Sequence, residues 1–234
     1  MSQLNCQDGV CEVPESQKPL TSLKVHAGKR VIYVGDPMCS WCYGIAPVVA
    51  RLQDYCDQQD ITFEIVVGGL RSGGGDQWNE PFRDFLRHEW QKIAETTGQP
   101  FALKILDWEY FDYDTEPSCR AVIVARELLP QDNQKSLTKF LGQIQTKFYL
   151  ENQDPKETHF YQSICEAFKI SYKVFKERFE SAEAKQQTIE DFRFCRELGV
   201  RGFPSFLLIQ DQEISLLTAG YTSLQSLIRK IEKR

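Results

Sequence analysis

The sequence lacks any apolar run long enough to cross a bilayer. Its longest apolar stretches, residues 121–125 and 203–209, fall far short of the roughly 18 consecutive residues that a membrane helix needs. A run of like charge is also missing, since 28 Lys and Arg stand against 33 Asp and Glu and give a formal net charge of -5. We therefore expect no membrane span and no binding to nucleic acid or to an anionic membrane surface.

The first 20 residues lack the basic start and apolar segment of a secretory signal. They are polar and carry Pro14 and Pro19, which indicates a flexible extension outside the core. The eight cysteines of the 234-residue chain are too few and too irregularly spaced for a small fold held by disulfides. We expect a cytoplasmic protein in which most cysteines are reduced thiols.

The start of the chain after this extension alternates between strand and helix. Residues 31–34 (VIYV) are rich in β-formers and are closed by Gly-Asp-Pro, which predicts a buried strand. Apolar residues at helical spacing predict a helix over residues 40–57 with a kink at Pro47. A second strand is predicted over residues 61–67 (ITFEIVV). Strand, helix and strand in this order indicate an α/β unit with parallel pairing.

A long stretch of helical periodicity follows, and strands return only near the end of the chain. Helices are predicted over residues 79–96, 117–129, 133–150, 157–169, 171–179 and 182–198. Two strands over residues 205–209 and 213–217 precede a closing helix over 223–230. We therefore expect a polar extension (1–28), an α/β domain (29–75 and 199–234) and an all-helical insertion domain (76–198).

Cys39 and Cys42 form a C-x-x-C sequence at the junction between the first strand and its helix. The unpaired N–H groups of a helix N-terminus favour a thiolate, so Cys39 is the expected nucleophile. Cys42 lies three residues further on, where it can attack the mixed disulfide that Cys39 forms with a substrate. The same spacing also occurs in zinc sites, but its position after a strand favours redox chemistry.

Two segments of the sequence resemble a known family. The segment GDPMCSWCYG (35–44), followed by Pro47, resembles the active-site strand and kinked helix of thioredoxin-fold proteins. The long helical insertion and the segment LGVRGFPSF (198–206) resemble the DsbA-like branch more narrowly, within it the FrnE-like group of predicted protein-disulfide isomerases. The resemblance covers about residues 30–234 in order. It implies an α/β thioredoxin-like fold with a large all-helical insertion.

The resemblance also implies a substrate-binding loop, and the sequence departs from the family at Tyr33. Phe203 and Pro204 would form the cis-proline loop opposite the cysteines, where the Phe203 backbone pairs with an extended substrate segment. Tyr33 stands six residues before Cys39, where thioredoxin-like proteins often carry a buried acid. Asp36 is nearer, but its place on a turn predicts a solvated cap. Trp41 could shield the sulfurs or contact a substrate.

The remaining cysteines divide into a pair in the tail and four single residues. Cys6 and Cys11 could form a local disulfide, pass electrons to Cys39, bind a soft metal with it, or be incidental. The other four lie in helical patterns without a cysteine partner at redox spacing, and we expect them to be buried. They are Cys56, Cys119, Cys165 and Cys195.

These features predict a thiol–disulfide oxidoreductase or isomerase that acts on protein or peptide substrates, with Cys39 as nucleophile and Cys42 as resolving thiol. No metal and no organic cofactor is required for that exchange, and glutathione or a thioredoxin-type partner could supply electrons. In a reducing compartment the expected direction is reduction or isomerisation. The alternatives are a glutathione-dependent isomerase or transferase on the same fold, a metal-binding module built on Cys6, Cys11, Cys39 and Cys42, and a chaperone.

Overall fold

The computed structural model describes residues 6–7, 10–12, 28–130, 134–211 and 213–233, and of residues 6, 7, 11, 12 and 134 it describes the backbone. The chain forms two compact units. One, the α/β unit, comprises residues 1–70 and 189–234, and the other, the helical unit, comprises residues 71–188. Among the helices that the structure describes, none is both long and apolar enough to cross a membrane.

The α/β unit contains a mixed four-stranded sheet in the order β4-β3-β6-β7. Its strands are β3 (Arg30–Gly35), β4 (Thr62–Val67), β6 (Ser205–Gln210) and β7 (Glu213–Ala219). The pairing of β3 with β4 is parallel, whereas β6 is antiparallel to both β3 and β7. Residues 31–34 of β3 are fully buried, because this strand lies in the middle of the sheet. The four predicted strands and the parallel first pair are confirmed.

The predicted helix over residues 40–57 is divided into two helices. They are α1 (Ser40–Gly44) and α2 (Ala46–Gln58). Pro47 lies in the first turn of α2, where its missing N–H has no helical partner to lose. The side chains of Val49, Leu52 and Cys56 form the buried face of α2. The closing helix of this unit is α9 (Leu224–Glu232).

The helical unit is built around aromatic side chains. Its helices are α3 (Glu80–Thr97), α4 (Glu116–Leu128), α5 (Gln134–Tyr149), α6 (Gln162–Ala167), α7 (Tyr172–Glu180) and the first half of α8 (Ala182–Glu197). Two 3-10 turns occur at Lys104–Asp107 and Thr158–Tyr161. The rings of Trp90, Phe148 and Tyr149 meet edge to face with centroids 4.7–6.1 Å apart. These aromatic contacts give the helical unit a core of its own.

Part of the amino-terminal extension belongs to a second, three-stranded sheet. Its strands are β1 (Cys6–Gln7), β2 (Val10–Glu12) and β5 (Gly202–Phe203), in the order β1-β2-β5 and with both pairings antiparallel. The expectation of a flexible extension is wrong for these residues. Strands of two or three residues carry no periodic signal, and β2 also pairs with β5, which lies nearly 200 positions away in the chain.

Two carboxylates accept hydrogen bonds from backbone N–H groups of the α/β unit, near the points where the chain leaves this unit and returns to it. Before the chain leaves, Asp36 Oδ2 accepts a hydrogen bond of 2.7 Å from the Leu70 N–H. After it returns, Asp191 Oδ2 of α8 accepts one of 3.0 Å from the Val67 N–H. Both ends of the helical segment that interrupts the α/β unit are therefore hydrogen-bonded near the carboxyl ends of β3 and β4.

Candidate active site

The turn between β3 and α1 is organised by the side chain of Asp36. Its Oδ1 accepts a hydrogen bond of 2.8 Å from the Met38 N–H, and its main-chain oxygen accepts one of 3.0 Å from the Cys39 N–H. Asp36 has no exposed surface, so the expectation of a solvated cap is wrong. Two backbone N–H groups, including that of Leu70, replace water as donors to this carboxylate and hold the turn in one conformation.

Cys39 and Cys42 lie together at the start of α1 as free thiols. Cys39 is the N-cap residue, and both side chains are fully buried. Their thiols share a hydrogen bond, and the Cys42 backbone N–H donates a second one to the Cys39 sulfur. The Cys39 thiol also donates a hydrogen bond to the Phe203 carbonyl oxygen, with 3.8 Å between sulfur and oxygen. The predicted pair and the predicted loop therefore meet in this structure.

Burial opposes ionisation of the Cys39 thiol in this conformation. Burial raises its pKa well above 9.0, and the Cys42 thiol and the Asp36 carboxylate raise it further. The Cys42 N–H lowers it, which is the expected effect of the helix N-terminus. The helix α1 has only five residues, however, and complete loss of water outweighs one backbone donor. In this conformation burial therefore opposes the anion that the helix N-terminus favours, and a reactive thiolate at Cys39 stays a prediction.

Tyr33 is the site residue whose role the sequence did not show. Its hydroxyl donates a hydrogen bond to the Cys42 sulfur, and burial together with this contact raises the Tyr33 pKa well above 10.0. A Cβ atom at Gly35 would lie 2.5 Å from the Tyr33 oxygen, so only glycine leaves room for the hydroxyl there. Tyr33 thus lies beside the second cysteine, at the sequence position where an acid is often found.

The Phe203–Pro204 peptide bond is cis, as the resemblance implies. The Phe203 side chain is buried against Gly68, where an added Cβ would lie 2.0 Å from the Phe203 Cζ. A bulky residue therefore fits before Pro204 because the end of β4 is followed by glycine. Its carbonyl faces Cys39, while its backbone pairs with Cys11 of β2.

Trp41 lies between the two cysteines and is only 3% exposed. Its ring packs against Tyr221 with centroids 5.9 Å apart. Its indole Nε1 is buried and has no hydrogen-bond partner in the part of the chain that the structure describes. Shielding of the sulfurs by the indole and its contact with a substrate both stay predictions.

The other cysteines are separated from this arrangement. Those predicted to be buried spectators are fully or almost fully buried free thiols: Cys56, Cys119, Cys165 and Cys195. Burial raises the pKa of both Cys56 and Cys165 to about 12. The side chains of Cys6 and Cys11 lie outside the described residues. Among the residues that the structure describes, no three His, Cys, Asp or Glu side chains are grouped as a metal ion would require.

This fold and this pair of thiols define a DsbA-like protein of the thioredoxin-fold class. The chain belongs to the thioredoxin family, whose model matches residues 32–228. Similar solved structures include a candidate protein disulfide isomerase from Nitrosomonas europaea, with 28% identity, a TM-score of 0.78 and coverage of 88% of this chain and 97% of that one. This likeness agrees with a thioredoxin-like fold extended by helices.

Two further relatives have names that describe two different functions, a disulfide reductase and an adapter protein. The cytosolic disulfide reductase DsbM from Pseudomonas aeruginosa is 24% identical, with a TM-score of 0.64 and coverage of 81% of this chain and 89% of that one. It has also been solved with GSH. The ClpXP adapter protein SpxH from Halalkalibacterium halodurans is 24% identical over 216 residues, which are 90% of this chain and 68% of the relative.

Proposed function

We propose that this protein is a cytoplasmic thiol–disulfide oxidoreductase that exchanges disulfides with protein or peptide substrates. The observation that carries the proposal is the shared hydrogen-bond network of the Cys39 and Cys42 thiols, the Tyr33 hydroxyl and the Phe203 carbonyl. A spectator cysteine in an apolar core has no need of such partners.

In the proposed reaction, Cys39 loses its proton and its sulfur attacks one sulfur of a substrate disulfide. The substrate's other sulfur leaves and takes up a proton, and a mixed disulfide remains on Cys39. Cys42 then attacks Cys39, which releases the reduced substrate and leaves the Cys39–Cys42 disulfide. Tyr33 donates a hydrogen bond to Cys42, so it is placed to stabilise the thiolate that Cys42 becomes when its proton passes to the departing substrate sulfur. Reduction of that disulfide by another thiol, such as glutathione, completes the cycle.

The site must open before a substrate can reach the Cys39 sulfur, because Cys39 has no exposed surface. We propose that a substrate segment pairs with the Phe203 backbone and lies against Trp41 and Pro204. Leaving the buried state would remove part of the desolvation that raises the Cys39 pKa. The thiol would then ionise only when the site opens, which protects it from unselective oxidation.

Trapping with Cys42→Ser tests the proposal. Without the resolving thiol, we expect a stable mixed disulfide between Cys39 and a peptide that carries one activated disulfide. The link should be located by mass spectrometry under non-reducing conditions. The matched control is Cys56→Ser, which removes a buried thiol of α2 and should leave no trapped peptide. Absence of any Cys39-linked peptide in the folded variant would refute the exchange reaction.

Binding of a protein partner without exchange is the second candidate. It is favoured by the likeness over 90% of the chain to proteins named as ClpXP adapters. A Cys39→Ser/Cys42→Ser double variant distinguishes the two functions, because an adapter would keep its full affinity for the partner whereas disulfide exchange would be lost. A third candidate, a glutathione-dependent isomerase or transferase, would keep its turnover of a glutathione adduct in Cys39→Ser.

A further inference from the structure

The strand that pairs with the cis-proline loop comes from this chain itself. Phe203 is the Cα partner of Cys11, and Gly202 is the partner of Glu12, in an antiparallel register. This is the backbone edge on which the proposed function places a substrate strand. Of the three residues in β2, the cysteine is the one directly opposite the residue whose carbonyl lies 3.8 Å from Cys39 Sγ.

The hairpin register places a second cysteine beside Cys11. Cys6 and Cys11 are Cα partners across β1 and β2. Directly opposite residues in antiparallel strands have Cα atoms about 4.5–5.5 Å apart, which lies within the range of about 4.4–6.8 Å that a disulfide spans. The two residues between the paired Gln7 and Val10 are Asp8 and Gly9. As a sequence, Asp-Gly is typical of the connection between two antiparallel strands, which favours this register.

We propose that Cys6 and Cys11 form a second redox pair, with β2 bound as an internal substrate through which the pair exchanges its disulfide with Cys39 and Cys42. This inference rests on the proposed function, because it uses the same nucleophile and the same edge. It assigns the substrate position in the resting protein to a segment of its own chain. An external substrate strand would have to displace β2.

The exchange balances within one chain. When the active site is oxidised, the Cys11 thiolate attacks Cys39, the Cys39–Cys42 bond breaks, and Cys42 leaves and takes up a proton. The Cys6 thiolate then attacks Cys11, which forms the Cys6–Cys11 disulfide and releases Cys39 as a thiol after it takes up a proton. Two electrons move from Cys6 and Cys11 to Cys39 and Cys42. The two protons that Cys6 and Cys11 lose equal the two that Cys42 and Cys39 gain. The reverse sequence carries electrons outward.

Trapping in the full chain tests the proposal. The Cys6→Ser/Cys42→Ser variant keeps Cys11 and Cys39 and removes the resolving thiol of each. Diamide, a thiol oxidant, is added at one equivalent, the reaction is quenched with acid, and disulfide-linked peptides are identified by mass spectrometry. We expect an internal Cys11–Cys39 link. In the matched Cys11→Ser/Cys42→Ser control, Cys6 stays in the hairpin but is not opposite Phe203, so its link to Cys39 should be at least about fivefold less abundant, since the register sets the effective concentration.

A third variant separates failure of this inference from failure of the proposed function. Cys6→Ser/Cys11→Ser/Cys42→Ser has only Cys39 at the site and should capture an added peptide that carries an activated disulfide. If it does so while Cys11 links to Cys39 no better than Cys6 does, the internal relay is refuted and the proposed function stands. If a Cys11–Cys39 link forms but no peptide is captured, the proposed function fails and exchange is confined to the chain. If Cys39 links to neither, both are refuted.

The unmodified chain provides a measurement that needs no substitution in the buried site. After one equivalent of diamide, the disulfide should be found in both Cys6–Cys11 and Cys39–Cys42, and an added extended peptide with one cysteine should reduce the Cys6–Cys11 share. A disulfide that stays in Cys39–Cys42 alone would overturn the relay.

Discussion

The α/β unit and the helical unit both bury cysteines, but they surround them differently. Cys39 in the α/β unit and Cys165 in the helical unit are both fully buried, and burial raises the pKa of each thiol. Beside Cys39 lie the Cys42 thiol and the Phe203 carbonyl. The shift of Cys165 has burial as its largest cause. Cys39 therefore differs from Cys165 in having a second thiol beside it, and not in exposure.

Gly35 and Gly68 of the α/β unit differ from Gly142 of the helical unit in what surrounds them. In the α/β unit, Gly35 and Gly68 each leave the space that a large side chain occupies, the Tyr33 hydroxyl in one case and the Phe203 ring in the other. In the helical unit, Gly142 of α5 has no atom within 4 Å of the position a Cβ would take. Glycine thus shapes the candidate site, whereas in the helical unit Gly142 leaves a replaceable gap.

The largest expected effect comes from exchanging one sulfur for oxygen in each unit. Cys39→Ser should reduce the rate of disulfide exchange at least about 1000-fold, because the nucleophile is removed. Cys165→Ser should leave this rate within about twofold of the parent, because its thiol has no part in the reaction. The rate is measured by reduction of a disulfide-linked fluorescent peptide. Equal losses in both variants would show that the units do not differ as described.

Removing one hydroxyl in each unit should have the next largest effect. Tyr33→Phe should slow release of the mixed disulfide about 10- to 100-fold, because the attacking Cys42 thiolate loses a hydrogen bond worth about 1.5–3 kcal/mol. Since the Tyr33 pKa is raised well above 10.0, the hydroxyl stays protonated below pH 10 and the loss should be similar from pH 6 to 9. The measurement is single-turnover kinetics across this range.

The control for Tyr33 is Tyr161 in the helical unit. Its buried hydroxyl donates a hydrogen bond of 2.6 Å to the Pro155 carbonyl. Tyr161→Phe should reduce the free energy of unfolding by about 1 kcal/mol and leave the exchange kinetics unchanged. A mixed disulfide that persists equally long in both variants would assign Tyr33 a purely structural role.

A methyl group added to a glycine should have opposite effects in the two units. Gly68→Ala would place its Cβ 2.0 Å from the Phe203 Cζ, so we expect a loss of about 1–3 kcal/mol from overpacking. Gly142→Ala should instead stabilise by about 0.5–1 kcal/mol, because alanine is the better helix former and space is open. Urea denaturation measures both, and a gain of stability in Gly68→Ala would contradict the described packing.

The last expected effect appears only at alkaline pH. Burial raises the pKa of Cys165 from 9.0 to about 12. A group whose folded pKa is raised contributes stability that is complete below pH 9 and is lost as the pH rises toward 12. At pH 10.5 the parent should therefore have lost on the order of 1–2 kcal/mol that Cys165→Ala keeps. Urea denaturation at pH 7 and 10.5 tests this, and a difference between the two proteins that does not change with pH would contradict it.

The main elements of both units could be predicted because their signals are local. The strand at residues 31–34 is a short run of β-formers closed by Gly-Asp-Pro, and the helices follow their apolar spacing and caps. Pro47 also marked the break between α1 and α2, since a proline restricts the backbone wherever it stands. Such patterns need no knowledge of distant residues.

The features that the sequence did not show depend on distant parts of the chain. Whether Cys39 is an anion depends on desolvation, which comes from the packing around a helix that the sequence can only locate. Asp36 is buried because the Leu70 N–H reaches it, and β2 is a strand because Phe203 pairs with it. Tyr33 was noticed only as a departure from a family pattern, since its hydroxyl contact depends on the room left at Gly35.

The two carboxylate ties at the ends of the interruption have a consequence for how such a protein could be altered. Asp36 holds the Leu70 N–H and Asp191 holds the Val67 N–H, so both ends of the 118-residue detour are anchored within the α/β unit. Both hydrogen bonds lie within the α/β unit. The segment between them could therefore be shortened, lengthened or exchanged, during evolution or by design, without moving the two cysteines. A replacement segment that begins after Leu70 and ends before Ile189 could therefore change what the protein recognises and leave the Cys39–Cys42 site in place.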